Sequence, residues 1–281
     1  MLVTGAGLAA SGADAAFPGR NGRIAVVVSE ECGSNCERGG IATVLPTGGP
    51  GRPLTRFGGP DGAAFVDPAF SPDGLLVAVT GSTAIHLIRA DGRGRARRLT
   101  KPSSDAFDSE PDWSRDGRSV VYERSLPQAG SRVSLVRLYR QGRSKAVAEG
   151  GDPALSVAGE IAFVRDGSVY RMGADGADMR RVAGGHSPEW SPNGHVIAFV
   201  TARGAVATVN RDGRGLHRLA ASGVSPAFSP DGRLVTFARS RDPAQVRVVP
   251  AGGGKARSLL SVPNSEDLIE LADLDWQPIR R

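Results

Sequence analysis

The sequence predicts an all-β fold: a six-bladed β-propeller of four-stranded antiparallel blades, closed by pairing of the N- and C-terminal strands in one blade. Three observations carry this. A turn-forming phrase recurs about every 40 residues, the spacing of a blade-sized repeat. Gly and Pro are abundant, at 38 and 19 of 281 residues, which disfavours long helices. The chain ends on the first half of the phrase that opens every other unit.

The phrase reads PAFSPDG at 68–74, PDWSRDG at 111–117, PEWSPNG at 188–194 and PAFSPDG at 226–232. A weaker copy, PALSVAG, stands at 153–159, and LDWQP at 274–278 keeps its first half. Ser, Pro, Asp and Gly suit successive positions of a tight turn, with Gly taking φ > 0. The aromatic residue before the turn ends a short strand that must be buried. An apolar strand follows each turn, at 75–80, 119–123, 160–164, 196–200 and 234–238. Its weak alternation suits a strand covered on both faces. A further strand comes next, at 84–88, 168–172, 205–209 and 245–249. It leads to a polar turn, ADG at 90–92 and 174–176, RDG at 211–213 or GGG at 252–254. A last strand begins with basic residues, as in RRLT at 97–100 and RRVA at 180–183. That makes four strands per unit and six units. One blade cannot cover both of its faces, so the ring must close. Residues 24–29 then share a sheet with the final strand, which removes an open edge.

The phrase, the following I-A-F-like strand and the D-G-x-x-x-R-R-L-T-like tail together resemble the TolB-type β-propeller repeat, over residues 17–281. The resemblance implies the fold. It does not choose a function, because such repeats occur in binding modules and beside hydrolase or lyase chemistry. The chain has no room for the additional domains those proteins carry, so a stand-alone propeller is expected.

Net charge is +6. The basic residues fall on the outer hairpins, among them Arg93, Arg95, Arg97, Arg98, Arg137, Arg140, Arg143, Lys145, Arg180, Arg181, Arg211, Arg214 and Arg218. A basic rim suits an anionic envelope polymer or simply a solvated edge. Nucleic acid is not expected, because aromatic residues for base stacking are missing there apart from Tyr139.

Residues 1–16 read MLVTGAGLAASGADAA, a small apolar stretch with an A-x-A site that resembles the end of a secretory signal. The G-x-G-x-x-A match at 5–10 lacks the strand and helix that a dinucleotide site needs. Export to the periplasm, cell envelope or exterior is therefore expected. Cys32 and Cys36 lie in a Gly/Ser-rich loop with no second Cys or His pair for zinc, so a local disulfide is expected in an oxidising compartment, with free thiols or a metal site as the alternatives. No run of about 18 apolar residues occurs, so no transmembrane helix is expected.

Aligning the units exposes one constellation. The residue before each phrase is Asp67, Glu110, Asp152, Ser187, Ser225 and Asp273. Innermost strands line a propeller's channel, so these side chains should ring one mouth, with His186 beside them. Oxygen groups of this kind suit Ca²⁺ at Asp67, Glu110, Asp152 and Asp273, an incoming Lys or Arg, or water alone. GHSPE at 185–189 is the nearest approach to a nucleophile turn and lacks its final Gly. No catalytic residue is assigned and no cofactor is required. The expectation is a monomeric, non-enzymatic propeller that binds a protein or peptide in the cell envelope. The alternatives are a metal-assisted lyase or hydrolase at the channel mouth and a purely structural assembly module.

Overall fold

In a computed structural model, residues 19–31, 37–55, 65–138, 144–239, 243–262 and 269–279 are described. The segment 1–16 and the Cys32–Cys36 pair lie outside them. The first blade holds β1 (Arg20–Glu31), β2 (Glu37–Val44) and β3 (Arg52–Pro53). The second holds β4 (Phe65–Phe70), β5 (Leu76–Gly81), β6 (Ala84–Arg89) and β7 (Arg97–Arg98). The third holds β8 (Phe107–Trp113), β9 (Ser119–Leu126), β10 (Gly130–Arg137) and β11 (Ser144–Glu149). Next come β12 (Gly151–Leu155), β13 (Ile161–Arg165), β14 (Ser168–Met172) and the long β15 (Arg180–Trp190). The chain continues through β16 (Val196–Thr201), β17 (Val206–Asn210) and β18 (His217–Ala220). It ends with β19 (Val224–Phe228), β20 (Leu234–Arg239), β21 (Ala244–Pro250), β22 (Arg257–Val262) and β23 (Ile269–Ile279).

All the pairings are antiparallel. The first blade runs β23-β1-β2-β3, so the two ends of the described chain share a sheet, with Ile24 opposite Trp276. The fourth and fifth blades are joined through β15, which serves both. Its first half pairs with β14 up to Gly184, and its second half pairs with β16 from Gly185. Gly185 has φ of 147°, and a Cβ there would overlap the Val200 carbonyl, so only glycine makes this hand-over.

The turn chemistry is as the phrase dictates. The Gly74 N–H donates to the Ser71 carbonyl at 2.8 Å, the Ser71 hydroxyl donates to Asp73 Oδ1 at 2.6 Å, and Ser71 Oγ accepts the Leu76 N–H at 2.9 Å. The same set recurs at Ser114–Asp116 and Ser229–Asp231, and with Asn193 in the acidic place at Ser191.

Apolar side chains collect between blades. Six buried clusters each join two consecutive blades, such as Ala78 and Ile85 with Trp113 and Tyr122, or Val246 and Leu259 with Leu274 and Trp276. The innermost strands β4, β8, β12, β15, β19 and β23 contact one another in order, and β23 contacts β4. Tryptophans pin two of the seams. Trp113 Nε1–H donates to the Ala69 carbonyl at 2.9 Å, and Trp276 Nε1–H donates to Thr236 Oγ1 at 2.8 Å. The outermost strands present exposed basic groups, including Arg52, Arg97, Arg98, Lys145, Arg180, Arg181, Arg218 and Arg257.

Because Trp276 holds the seam that closes the ring, Trp276→Ala should lower unfolding stability by about 3–5 kcal/mol. Leu75→Ala, at a side chain 67% exposed, should stay within about 0.5 kcal/mol of wild type. Chemical denaturation measures both, and equal losses would contradict the packing described.

Candidate functional site

Each innermost strand carries the same irregularity near its start. The register between first and second strands slips between Val66 and Ala69, Ser109 and Asp112, Gly151 and Ala154, His186 and Glu189, and Val224 and Ala227. In the first blade β23 slips against β1 around Asp273. These bulges hold the ring residues. From the sequence these residues start the inner strands; in the structure they lie inside them, because the bulge lets pairing resume on both sides. Proline next to the ring residue has no N–H to waste at an unpaired position.

Asp67, Glu110, Asp152, Ser187, Ser225 and Asp273 all have positive φ, between 40° and 51°. A non-glycine residue held there is strained by about 1–3 kcal/mol. The strain turns the backbone so that the six line one central cavity of about 110 Å³. His186, by contrast, does not line it. Its ring is exposed, with Nδ1 3.1 Å from Ser187 Oγ.

The ring residues stitch blade to blade. The Glu110 N–H donates to Asp67 Oδ2 at 3.3 Å, and the Ser187 N–H donates to Asp152 Oδ2 at 2.6 Å. The Asp273 N–H donates to Ser225 Oγ at 3.1 Å, whose hydroxyl lies 3.2 Å from Asp273 Oδ1. The Asp152 N–H turns to Glu123 Oε2 at 3.0 Å instead. This is possible because residue 151 is Gly; a Cβ there would overlap the Glu123 carboxylate.

A second acidic tier, absent from the sequence reading, lies two residues further along. Asp112, Glu189 and Asp275 line the same cavity, alternating around the ring with Ala69, Ala154 and, at the equivalent place of the repeat, Ala227. Asp112 accepts the N–H groups of Leu155 at 2.6 Å and Trp113 at 2.7 Å. Asp275 accepts those of Phe70 at 2.6 Å and Trp276 at 2.8 Å. The signal was present in the phrase: the variable residue is acidic where Trp follows and Ala where Phe or Leu follows.

Seven carboxylates thus share one small space, and burial raises the proton affinity of most of them. Asp112 and Asp152 are pushed up to about 6 by burial, against the N–H bonds they accept. Asp273 reaches about 7, through burial and then the nearby Asp67. Asp275 reaches about 8, burial outweighing its two N–H bonds. Glu110 and Glu189 stand well above the ordinary carboxylate range, through burial and then their acidic neighbours. Among the described residues, no three His, Cys, Asp or Glu side chains come together in a way that could hold a metal ion.

No known family profile matches the chain, and no curated protein matches it in sequence. Solved structures do match. TolB from Acinetobacter baumannii aligns over 95% of this chain and 69% of its own, with TM-score 0.72 and 19% identity. A putative TolB from Agrobacterium tumefaciens aligns over 92% of this chain and 100% of its own, with TM-score 0.63 and 16% identity. A chain of a nidogen/laminin complex aligns over 92% and 100%, with TM-score 0.68 and 11% identity. A puromycin hydrolase and an oligogalacturonate lyase also match, with TM-scores 0.56 and 0.52 over 48% and 75% of those chains. The fold is that of the TolB-like β-propellers, and it is shared by proteins of different activity.

The sign of the pH effect follows from the raised carboxyls. The folded chain keeps protons that the unfolded chain releases near pH 4, so stability falls as pH rises from 5 to 8. Glu189→Gln should remove part of that slope, up to about 1.4 kcal/mol per pH unit between the ordinary and the raised value. Urea midpoints at pH 5 and pH 8 measure it. Parallel curves for the two proteins would mean that Glu189 is charged in both states.

Proposed function

We propose that this chain is an exported, non-enzymatic binding propeller that recognises a protein or peptide partner in the cell envelope, on the face where the acidic ring opens. The observation that carries this reading is the repeated left-handed backbone. Six strained residues in register aim their side chains at one point. Four of the six are carboxylates whose mutual repulsion costs stability. Strain and repulsion gathered at one mouth are the mark of a site kept for what it binds. The small-residue segment at 1–16, which resembles the end of a signal, supports export. The likeness to TolB and to a chain of a nidogen/laminin complex fits a protein-binding role.

The test is affinity capture from an envelope extract with the purified protein as bait. One reproducible partner should be retained by wild type and lost by Glu110→Ala and Asp273→Ala. A double change on the outer strands, Arg97→Ala with Arg98→Ala, should leave it bound. Retention that follows the outer arginines and ignores the ring would overturn the reading in favour of an anionic ligand at the rim.

A further inference from the structure

The chemistry of the channel narrows the class of partner, an inference that rests on the binding role proposed above. Among the described residues lining the cavity there are seven carboxylates and no cation. Two of the three deeper ones are satisfied, since Asp112 and Asp275 each accept two backbone N–H groups. Glu189 occupies the third equivalent place. Its side chain is one methylene longer, its carboxylate has no hydrogen-bond partner among the described residues, and it borders the cavity. The Glu110 carboxylate in the upper ring is likewise without a hydrogen bond among those residues. A carboxylate walled by strands and left unbonded needs a counter-charge or a proton.

The space fits a small charged head. A single water needs about 10–15 Å³ of such room, and the cavity holds about 110 Å³. A guanidinium or ammonium group on its stem can enter, whereas a secondary-structure element cannot. A neighbouring hollow offers a place for an attached chain. A second hollow of about 500 Å³ lies between the third and fourth blades, and Asp152 lines both. Its walls are the turn at 129–132, the backbone at 149–151 and the turn at 164–166. These carry both signs of charge, with Arg132 paired to Glu149 at 2.5 Å and Arg165 to Asp166 at 3.5 Å. A free metal ion would have no use for such an exit. A peptide backbone, with its donors and acceptors, would.

We propose that the channel receives the cationic side chain of an extended peptide segment of the partner, its charged head against Glu189 and Glu110, its backbone leaving past Asp152 between the third and fourth blades. Arginine suits the place better than lysine, since its planar fork can meet two carboxylates at once.

Calorimetric titration of the full chain tests this with three probes: the capped peptide Ac-Gly-Ser-Arg-Ser-Gly-NH2, the same peptide with citrulline for arginine, and agmatine. The arginine peptide should bind at least 10-fold more tightly than the citrulline peptide. Agmatine should bind, but more weakly than the arginine peptide. Glu189→Gln should weaken the arginine peptide at least 10-fold while its thermal midpoint at pH 8 is no lower than wild type. Ala129→Trp, which narrows the hollow, should weaken the peptide and spare agmatine. Equal affinity for arginine and citrulline peptides, or indifference to Glu189→Gln, would overturn the cationic anchor. Agmatine binding that equals the peptide's would overturn the exit path. An envelope partner still captured by Glu189→Gln would leave the binding role standing while removing this account of its chemistry.

Discussion

The molecule depends on one backbone device: a residue held in the left-handed region at the start of each innermost strand. It breaks the ladder within a blade at the one place where a proline or its neighbour has least to lose. The N–H groups freed from that ladder become donors to the next blade, as Glu110 is to Asp67 and Ser187 to Asp152. Stitching the ring together and bringing acids to a common centre are therefore a single act. A strand that ran straight through would keep its own hydrogen bonds and point these side chains elsewhere. The acidity of the channel follows from the same geometry. Once the carboxylates converge, burial and then mutual repulsion raise the proton affinity of several of them.

Much of this was legible in the sequence, and the boundary between what was and was not has physical causes. The turn phrase encodes hydrogen bonds local to six residues, so Ser71, Asp73 and Gly74 could be placed without knowing anything distant. The pairing of β1 with β23 was legible because the last half-phrase at Trp276 has no turn or second strand of its own. The upper acidic ring was legible from repeat alignment alone. The bulge was not, because a residue before proline is ordinarily driven to extended backbone, and only the register slip shows that these are not. Nor could the sequence tell that the His186 ring stands exposed beside Ser187, outside the cavity lining. The deeper acids were passed over as the variable position of the phrase, although their alternation with alanine was in plain view.

That alternation has a steric logic. Tryptophan is the largest side chain, and at each seam it must be received by something small. Trp113 reaches across to the Ala69 carbonyl, and the blade that offers alanine is also the one that donates its next N–H to an acid. Thus Asp275 accepts from Phe70 beside Ala69, and Asp112 accepts from Leu155 beside Ala154. Acid with tryptophan in one blade and alanine with a lesser apolar residue in the next give the ring a threefold pattern beneath its sixfold one. In the first and third blades the pairing binds the blade to both neighbours, through an indole on one side and a carboxylate on the other.

The fifth blade departs from this pattern in both respects at once. The buried Trp190 Nε1–H has no partner, and Glu189 has left the backbone groups that its aspartate counterparts hold. An unsatisfied buried donor costs about 1–3 kcal/mol, and an unbonded carboxylate adds the work of confining its charge. An aspartate at 189 would have matched Asp112 and Asp275, so the extra methylene moves the carboxylate out of the fabric of the ring and toward the cavity. Stability has been given up at the fifth blade, where the acidic centre is the least engaged by its own backbone. A site that must exchange one counter-charge for another needs such a group. Carboxyl groups that each accept two N–H bonds, as at Asp112 and Asp275, are already spoken for.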